Sequence, residues 1–90
     1  MRIVVWTAEA RDNLSAIRAY IGQFNPIAAE RLAARLVSVA DTLDEYADRG
    51  RPVGDGRREL TIVRPYIIRY LVTAESVIIL RIRHGARRPD

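Results

Sequence analysis

The chain has 90 residues, no cysteine, one histidine and 15 basic against 11 acidic residues, which gives a formal net charge of +4. This length suits one domain spanning residues 1–90 and leaves little room for a large enclosed active-site cavity. The missing cysteines exclude disulfides, thiolate metal sites and a cysteine nucleophile, and a zinc site with one histidine would need carboxylates, so we predict neither a metal nor a cofactor.

The first half of the chain predicts a strand followed by two helices. The segment Arg2–Trp6 is apolar on both faces and rich in β-branched residues, which favours a short strand. Thr7 can cap a helix over about Ala8–Gln23, and Asn25 with Pro26 can start a second helix. Two apolar stripes at helical spacing support an αα-hairpin: Leu14, Ile17, Ile21 and Phe24, then Ala29, Leu32, Leu36, Val39, Leu43 and Tyr46.

The second half predicts a loop and three strands. Asp48–Glu59 holds three glycines and a proline, so it is interpreted as a loop. The strands are predicted at Glu59–Val63, Tyr66–Val72 and Val77–Arg83, with a short polar hairpin connection at Thr73–Ser76. The element order β-α-α-β-β-β indicates an α+β fold, a mainly antiparallel sheet with the αα-hairpin packed on one face.

Alternation along the last two strands gives both sheet faces an apolar character. One face is predicted to hold Tyr66, Ile68, Tyr70 and Val72, and the other Ile67, Arg69 and Leu71; on the last strand Val77, Ile79, Arg81 and Arg83 oppose Ile78, Leu80 and Ile82. The helices can cover one face, so we expect another subunit or a partner segment on the other. Trp6, Tyr46, Tyr66 and Tyr70 are expected to pack in the core.

Charge is divided unevenly along the chain. Residues 1–50 carry six arginines and seven acids, and residues 51–90 carry nine arginines and four acids. The C-terminal half is therefore the electropositive part, and it predicts an acidic partner, either a protein segment or a nucleic-acid backbone. The apolar runs are too short to cross a bilayer and the start lacks a secretory signal, so we expect no membrane association and a cytoplasmic protein.

Several stretches in this order are shared with one family. They are the segment from Trp6 to Leu32, GRPV from Gly50, RREL from Arg57, YIIRY from Tyr66, and ILRIRHGARRP from Ile79 to Pro89. Together they resemble the RelE/ParE superfamily of toxins from bacterial type II toxin-antitoxin modules, nearest the ParE branch. The resemblance implies a cognate antitoxin whose acidic or apolar C-terminal segment wraps the toxin in a hetero-oligomer. ParE-like members poison DNA gyrase, whereas RelE-like members cleave mRNA on the ribosome.

The basic C-terminal region and its neighbours are the predicted binding surface for target or antitoxin. The candidate residues are Arg69, Arg81, Arg83, His84, Arg87, Arg88, Ile67 and Leu71. A ribonuclease would need a general base, an acid and cations, for which His84, Arg81 and Arg87 are the candidates, with Arg69 and Arg83 in support.

Three features favour a non-enzymatic gyrase inhibitor over a ribonuclease. The lysine-rich ribosome-binding surface of RelE-like enzymes is absent, since the chain has no lysine. In the RelE-type pattern an arginine follows the tyrosine that opens the strand Tyr66–Val72, and this chain has Ile67 there. Strict alternation also places His84 on the face opposite Arg81 and Arg83. The third alternative, a small basic nucleic-acid-binding module, lacks a recognition-helix or aromatic-platform pattern. His84 could also be a hydrogen-bonded residue at a strand end.

Overall fold

Two helices pack on one face of a five-stranded sheet in a computed structural model that describes residues 1–86. The elements are β1 (Ile3–Trp6), α1 (Ala8–Gly22), α2 (Pro26–Asp41), a 3-10 turn (Thr42–Asp44), β2 (Arg51–Gly54), β3 (Arg57–Leu60), β4 (Tyr66–Val72) and β5 (Ser76–His84). The strand order is β1-β5-β4-β3-β2, with β1 parallel to β5 and the other neighbours antiparallel. The predicted fold class is confirmed. Among the described helices, none is long and apolar enough to cross a membrane.

Side-chain caps fix both helix starts where the sequence predicts them. Thr7 accepts a hydrogen bond from the Ala10 amide at 3.0 Å, and Asn25 accepts one from the Ala28 amide at 3.0 Å. These bonds satisfy amides that the first turn leaves without a helical partner. The Thr7 hydroxyl also lies 3.0 Å from the carbonyl of Ile79, so the cap ties α1 to β5.

The helices end earlier than the apolar stripes predict. Phe24 lies beyond the end of α1, is 73% exposed and contacts Tyr20 edge to face. Tyr46 lies beyond both α2 and the 3-10 turn and is 57% exposed. The prediction that Tyr46 packs in the core is wrong: the last buried residue of the second apolar stripe is Leu43, within the 3-10 turn. The core itself includes Leu36, Leu43, Ile68, Tyr70, Val77 and Ile79, each fully buried, with Tyr66 beside them.

The segment predicted as a loop, Asp48–Glu59, contains a β-hairpin. β2 and β3 pair around a turn in which Gly54, Asp55 and Gly56 have positive φ angles of 100°, 54° and 76°. Glycine tolerates this backbone region without a steric penalty, so two of the three glycines make a tight turn rather than a flexible loop. The strand predicted at Glu59–Val63 therefore begins two residues earlier and ends at Leu60.

A bulge in β5 reverses the predicted side-chain alternation of its second half. Arg69 pairs with Arg81, but the next residue, Tyr70, pairs with Ile79, which leaves Leu80 as an extra residue. Val77, Ile79 and Ile82 are buried against the helices. The prediction that Arg81 and Arg83 share a face with Val77 and Ile79 is therefore wrong: they share the opposite face with Arg69.

Candidate interaction surface on the outer sheet face

The outer face, as we call the sheet face opposite the helices, combines apolar and basic side chains. On β1, Val4 and Trp6 pack on the core, whereas Ile3 and Val5 point outward and are 69% and 45% exposed. Half-buried apolar residues continue the surface across the two central strands: Ile67, Leu71, Ile78 and Leu80. Within residues 1–86 both helices pack on the other side, so this apolar surface faces solvent.

One buried carboxylate organises the arginines of this face. Glu59 on β3 is 3% exposed, and β4 and β2 place Arg69 and Arg51 directly opposite it. Arg69 holds its Oε2 through Nε at 3.0 Å and Nη2 at 2.6 Å, whereas Arg51 donates to Oε1 at 3.2 Å. The Arg83 Nη2 lies 3.7 Å from Oε2. The three guanidinium groups and the carboxylate form the arginine cluster, which carries a net charge of +2.

Glu59 stays ionised in this environment. Burial alone would raise the pKa of its carboxyl, but the hydrogen bonds and charge of Arg69, with the charges of Arg83 and Arg51, outweigh burial and lower the pKa from its usual 4.5. A buried charge is tolerated in a protein when it is paired and hydrogen-bonded, as it is here. The cluster is therefore a fixed charge pattern at neutral pH.

Arg81 and His84 lie outside the arginine cluster. The Arg81 Nε is 3.6 Å from a carboxylate oxygen of Glu9 in the first turn of α1. His84 pairs with Tyr66 across β4 and β5, and the two rings meet edge to face with centroids 5.6 Å apart. Its Nδ1 accepts a hydrogen bond from the Ala86 amide at 3.1 Å, which places the proton of a neutral imidazole on Nε2.

The structure brings together some of the predicted site residues and separates others. Arg69, Arg81, Arg83, Ile67 and Leu71 share the outer face, and His84 lies on the core side. The residue after Tyr66 is Ile67, which is half-buried and stands opposite Arg83. An isoleucine carries no charge, so this position supplies no cation. Arg87 and Arg88 lie outside the described residues. No group of histidine and acidic side chains within residues 1–86 could hold a metal ion.

Sequence reasoning missed Glu59 and Arg51 as members of this surface. One signal was present: Glu59 is the only acidic residue between Asp55 and Glu75, in a strongly basic segment. An isolated acid among arginines indicates an ion pair, but its partners depend on the strand register, which local sequence does not give. Arg51 lies in a hairpin that the sequence pattern predicts as a loop, so the pattern gives it no place on a sheet face.

Comparison with known proteins points to a single family. A family model described as the ParE toxin of the type II toxin-antitoxin system parDE matches residues 4–89. Toxin RelE2 of Caulobacter vibrioides is 55% identical over 87 residues, which cover 97% of this chain and 99% of the relative. Toxin RelE3 of the same organism is 32% identical over 91 residues, covering 98% and 99%. A solved structure, "Chromosomal ParDE TA system from P. aeruginosa", superposes with a TM-score of 0.85 at 29% identity and covers 93% of this chain and 96% of that chain.

Proposed function

We propose that this chain, which belongs to the ParE toxin family of type II toxin-antitoxin systems, arrests bacterial growth by binding and poisoning DNA gyrase. Family membership makes the chain the toxin of such a module and implies an antitoxin partner. The site of action would be the cytoplasm, where gyrase is found.

The combination of apolar and basic side chains on the outer face is the main support for this proposal. This face exposes Ile3 and Val5 on the edge strand β1 and carries half-buried Ile67 and Leu71 on β4, with β5 between the two strands. The arginine cluster of net charge +2 adjoins β4 on the same face. Protein interfaces combine an apolar centre with arginine and a polar rim, and electrostatic complementarity then selects the partner and speeds association. A mixed surface of this kind suits a large protein target that offers acidic and apolar groups together.

The separation of the ionisable groups supports inhibition rather than RNA cleavage. A ribonuclease needs a base or acid and a phosphate-binding cation within reach of one scissile bond. Here His84 packs on Tyr66, whereas Arg69 and Arg83 contact Glu59 on the other face. Ile67 also stands where the RelE-type pattern has an arginine, and the lack of that cation favours inhibition over RNA cleavage as well.

Ribosome-dependent mRNA cleavage is the second candidate. It is favoured by the names of two relatives, toxin RelE2 and toxin RelE3 of Caulobacter vibrioides. On that alternative, the arginines of the outer face would hold RNA phosphates, and His84 would move a proton.

The antitoxin is proposed to neutralise the toxin by covering the same face. The acidic side chains of an antitoxin segment would neutralise the charge of the arginine cluster, and its apolar side chains would bury Ile3 and Val5. A segment that folds on binding can wrap such a surface while paying its ordering entropy only in the complex. Toxin and antitoxin would then form a hetero-oligomer in which gyrase cannot reach the outer face.

Induction of the toxin alone in bacteria tests the target directly. We expect growth arrest with covalent gyrase–DNA complexes trapped by detergent and with uncut mRNA. Arg51→Gln, at an exposed position of the cluster, should reduce the yield of trapped complexes several-fold. Arg18→Gln, at an exposed position on α1 away from the sheet, is the matched control and should leave the yield unchanged. Intact DNA together with cuts in ribosome-bound mRNA would refute gyrase poisoning and support the second candidate.

A further inference from the structure

We propose that Glu59 determines the specificity of the outer face: its buried carboxylate lowers the affinity of the arginine cluster for nucleic-acid phosphates, so that this face selects protein over nucleic acid. The inference goes beyond the proposed gyrase target and does not depend on it. Its test uses bare DNA and the purified chain, so either proposal can fail without the other.

The geometry makes Glu59 a permanent member of the surface. Its side chain is 2% exposed and is held through both oxygens, by Arg69 on Oε2 and by Arg51 on Oε1. A carboxylate fixed in this way cannot rotate into solvent to make room for a phosphate. The lowered pKa of Glu59 keeps the negative charge present throughout the physiological pH range.

The charge balance gives the size of the effect. Three arginines and one glutamate sum to +2, and loss of the carboxylate charge would raise the sum to +3. The affinity for nucleic acid depends on the number of phosphates that basic groups neutralise. For single strands, each neutralised phosphate makes the slope of log K against log salt concentration steeper by about 0.7. One additional effective charge therefore corresponds to about four-fold tighter binding of single-stranded DNA at 0.15 M salt.

Protein partners are less sensitive to the same carboxylate. They can bury Ile67 and Leu71, which a sugar-phosphate backbone cannot exploit in the same way. Arg51 has a side chain that is 69% exposed and makes one contact of 3.2 Å with Glu59. Its guanidinium has five N–H donors and can bind a carboxylate or a phosphate, so the preference for protein comes from the apolar residues of the face and not from Arg51.

The experiment measures the binding of a labelled single-stranded DNA of about 20 nucleotides by fluorescence anisotropy over a range of salt concentrations. Glu59→Gln removes one negative charge and keeps the side-chain shape. We expect it to bind about four-fold tighter than the unaltered chain at 0.15 M salt, with a slope steeper by about 0.7. Glu75→Gln is the matched control, since it makes the same charge change at an exposed position in the connection between β4 and β5. Its affinity should change less than two-fold.

Two further variants keep the test valid if Glu59→Gln does not fold. One is Arg69→Gln, which leaves the arginine cluster with a net charge of +1. The other is the double variant Glu59→Gln/Arg69→Gln, which also lacks the Glu59 charge and leaves the cluster with a net charge of +2. The double variant should bind the DNA about four-fold tighter than Arg69→Gln. Equal affinity of those two variants, or equal effects of Glu59→Gln and Glu75→Gln, would overturn the proposal. Circular dichroism melts establish which variants are folded before binding is compared.

Discussion

The hydroxyl of Tyr70 is expected to hold the segment that leads into the β2–β3 hairpin. Tyr70 is fully buried, and its Oη donates to the Ala47 carbonyl at 2.7 Å and accepts from the Gly50 amide at 2.8 Å. Both partners are buried backbone groups of the connection between the 3-10 turn and β2. Tyr70→Phe removes the hydroxyl, keeps the ring and leaves this carbonyl and this amide without that partner.

The structure sets the expected magnitude. A buried polar group that loses its hydrogen-bond partner costs about 1–3 kcal/mol. Two groups lose a partner here, and some relaxation toward solvent is open to a chain segment near the surface, so we expect a loss of about 2–4 kcal/mol in the free energy of unfolding. That loss is a large part of the roughly 5–15 kcal/mol by which small domains are stable.

Urea unfolding followed by circular dichroism measures this loss. Tyr46→Phe is the control, because Tyr46 is 57% exposed and its change should stay within about 0.5 kcal/mol. Burial also raises the pKa of Tyr70 above 10.0, so the stability linked to its neutral hydroxyl is present below that pH and is lost as pH rises through the higher folded value. Tyr70→Phe should lose less stability in that alkaline range. A cost below about 0.5 kcal/mol, equal to that of the control, would refute the reasoning.

Three further changes test other parts of the fold. The pKa of Glu59 is lowered from 4.5, so its contribution to stability is present above that pH and should fall as the pH drops through the lower folded value. Urea unfolding at a series of acidic pH values should show that Glu59→Gln loses less free energy of unfolding on acidification than the unaltered chain does. Gly50→Ala would place a Cβ 2.8 Å from the Glu59 carbonyl oxygen and 2.8 Å from the Tyr70 hydroxyl, and it should cost about 1–3 kcal/mol, seen as a lower melting temperature. Thr7→Ala removes the cap on the Ala10 amide and should cost about 1–2 kcal/mol in urea unfolding, whereas an unchanged midpoint would contradict the role of the cap.

Local sequence signals predicted most of the architecture. Thr7 and Asn25 cap the helices as expected, and the residues at Tyr66–Val72 form the strand that alternation predicts. Local signals do not predict the β2–β3 hairpin, because four exposed residues with no apolar alternation are not distinguishable from a loop. Gly54 and Gly56 were visible in the sequence, but their positive φ angles become informative only when strands flank them.

The sequence by itself determined the helices, the two-sided apolar sheet and the positive charge of the C-terminal half, because these properties depend on periodicity and composition. Tertiary structure alone decided which arginines act together. The extra residue Leu80 brings Arg81 and Arg83 to the face of Arg69, and the pairing of β3 with β4 places Glu59 opposite Arg69. Register and bulges arise from contacts between segments distant in the chain, so side-chain alternation within one strand cannot reveal them.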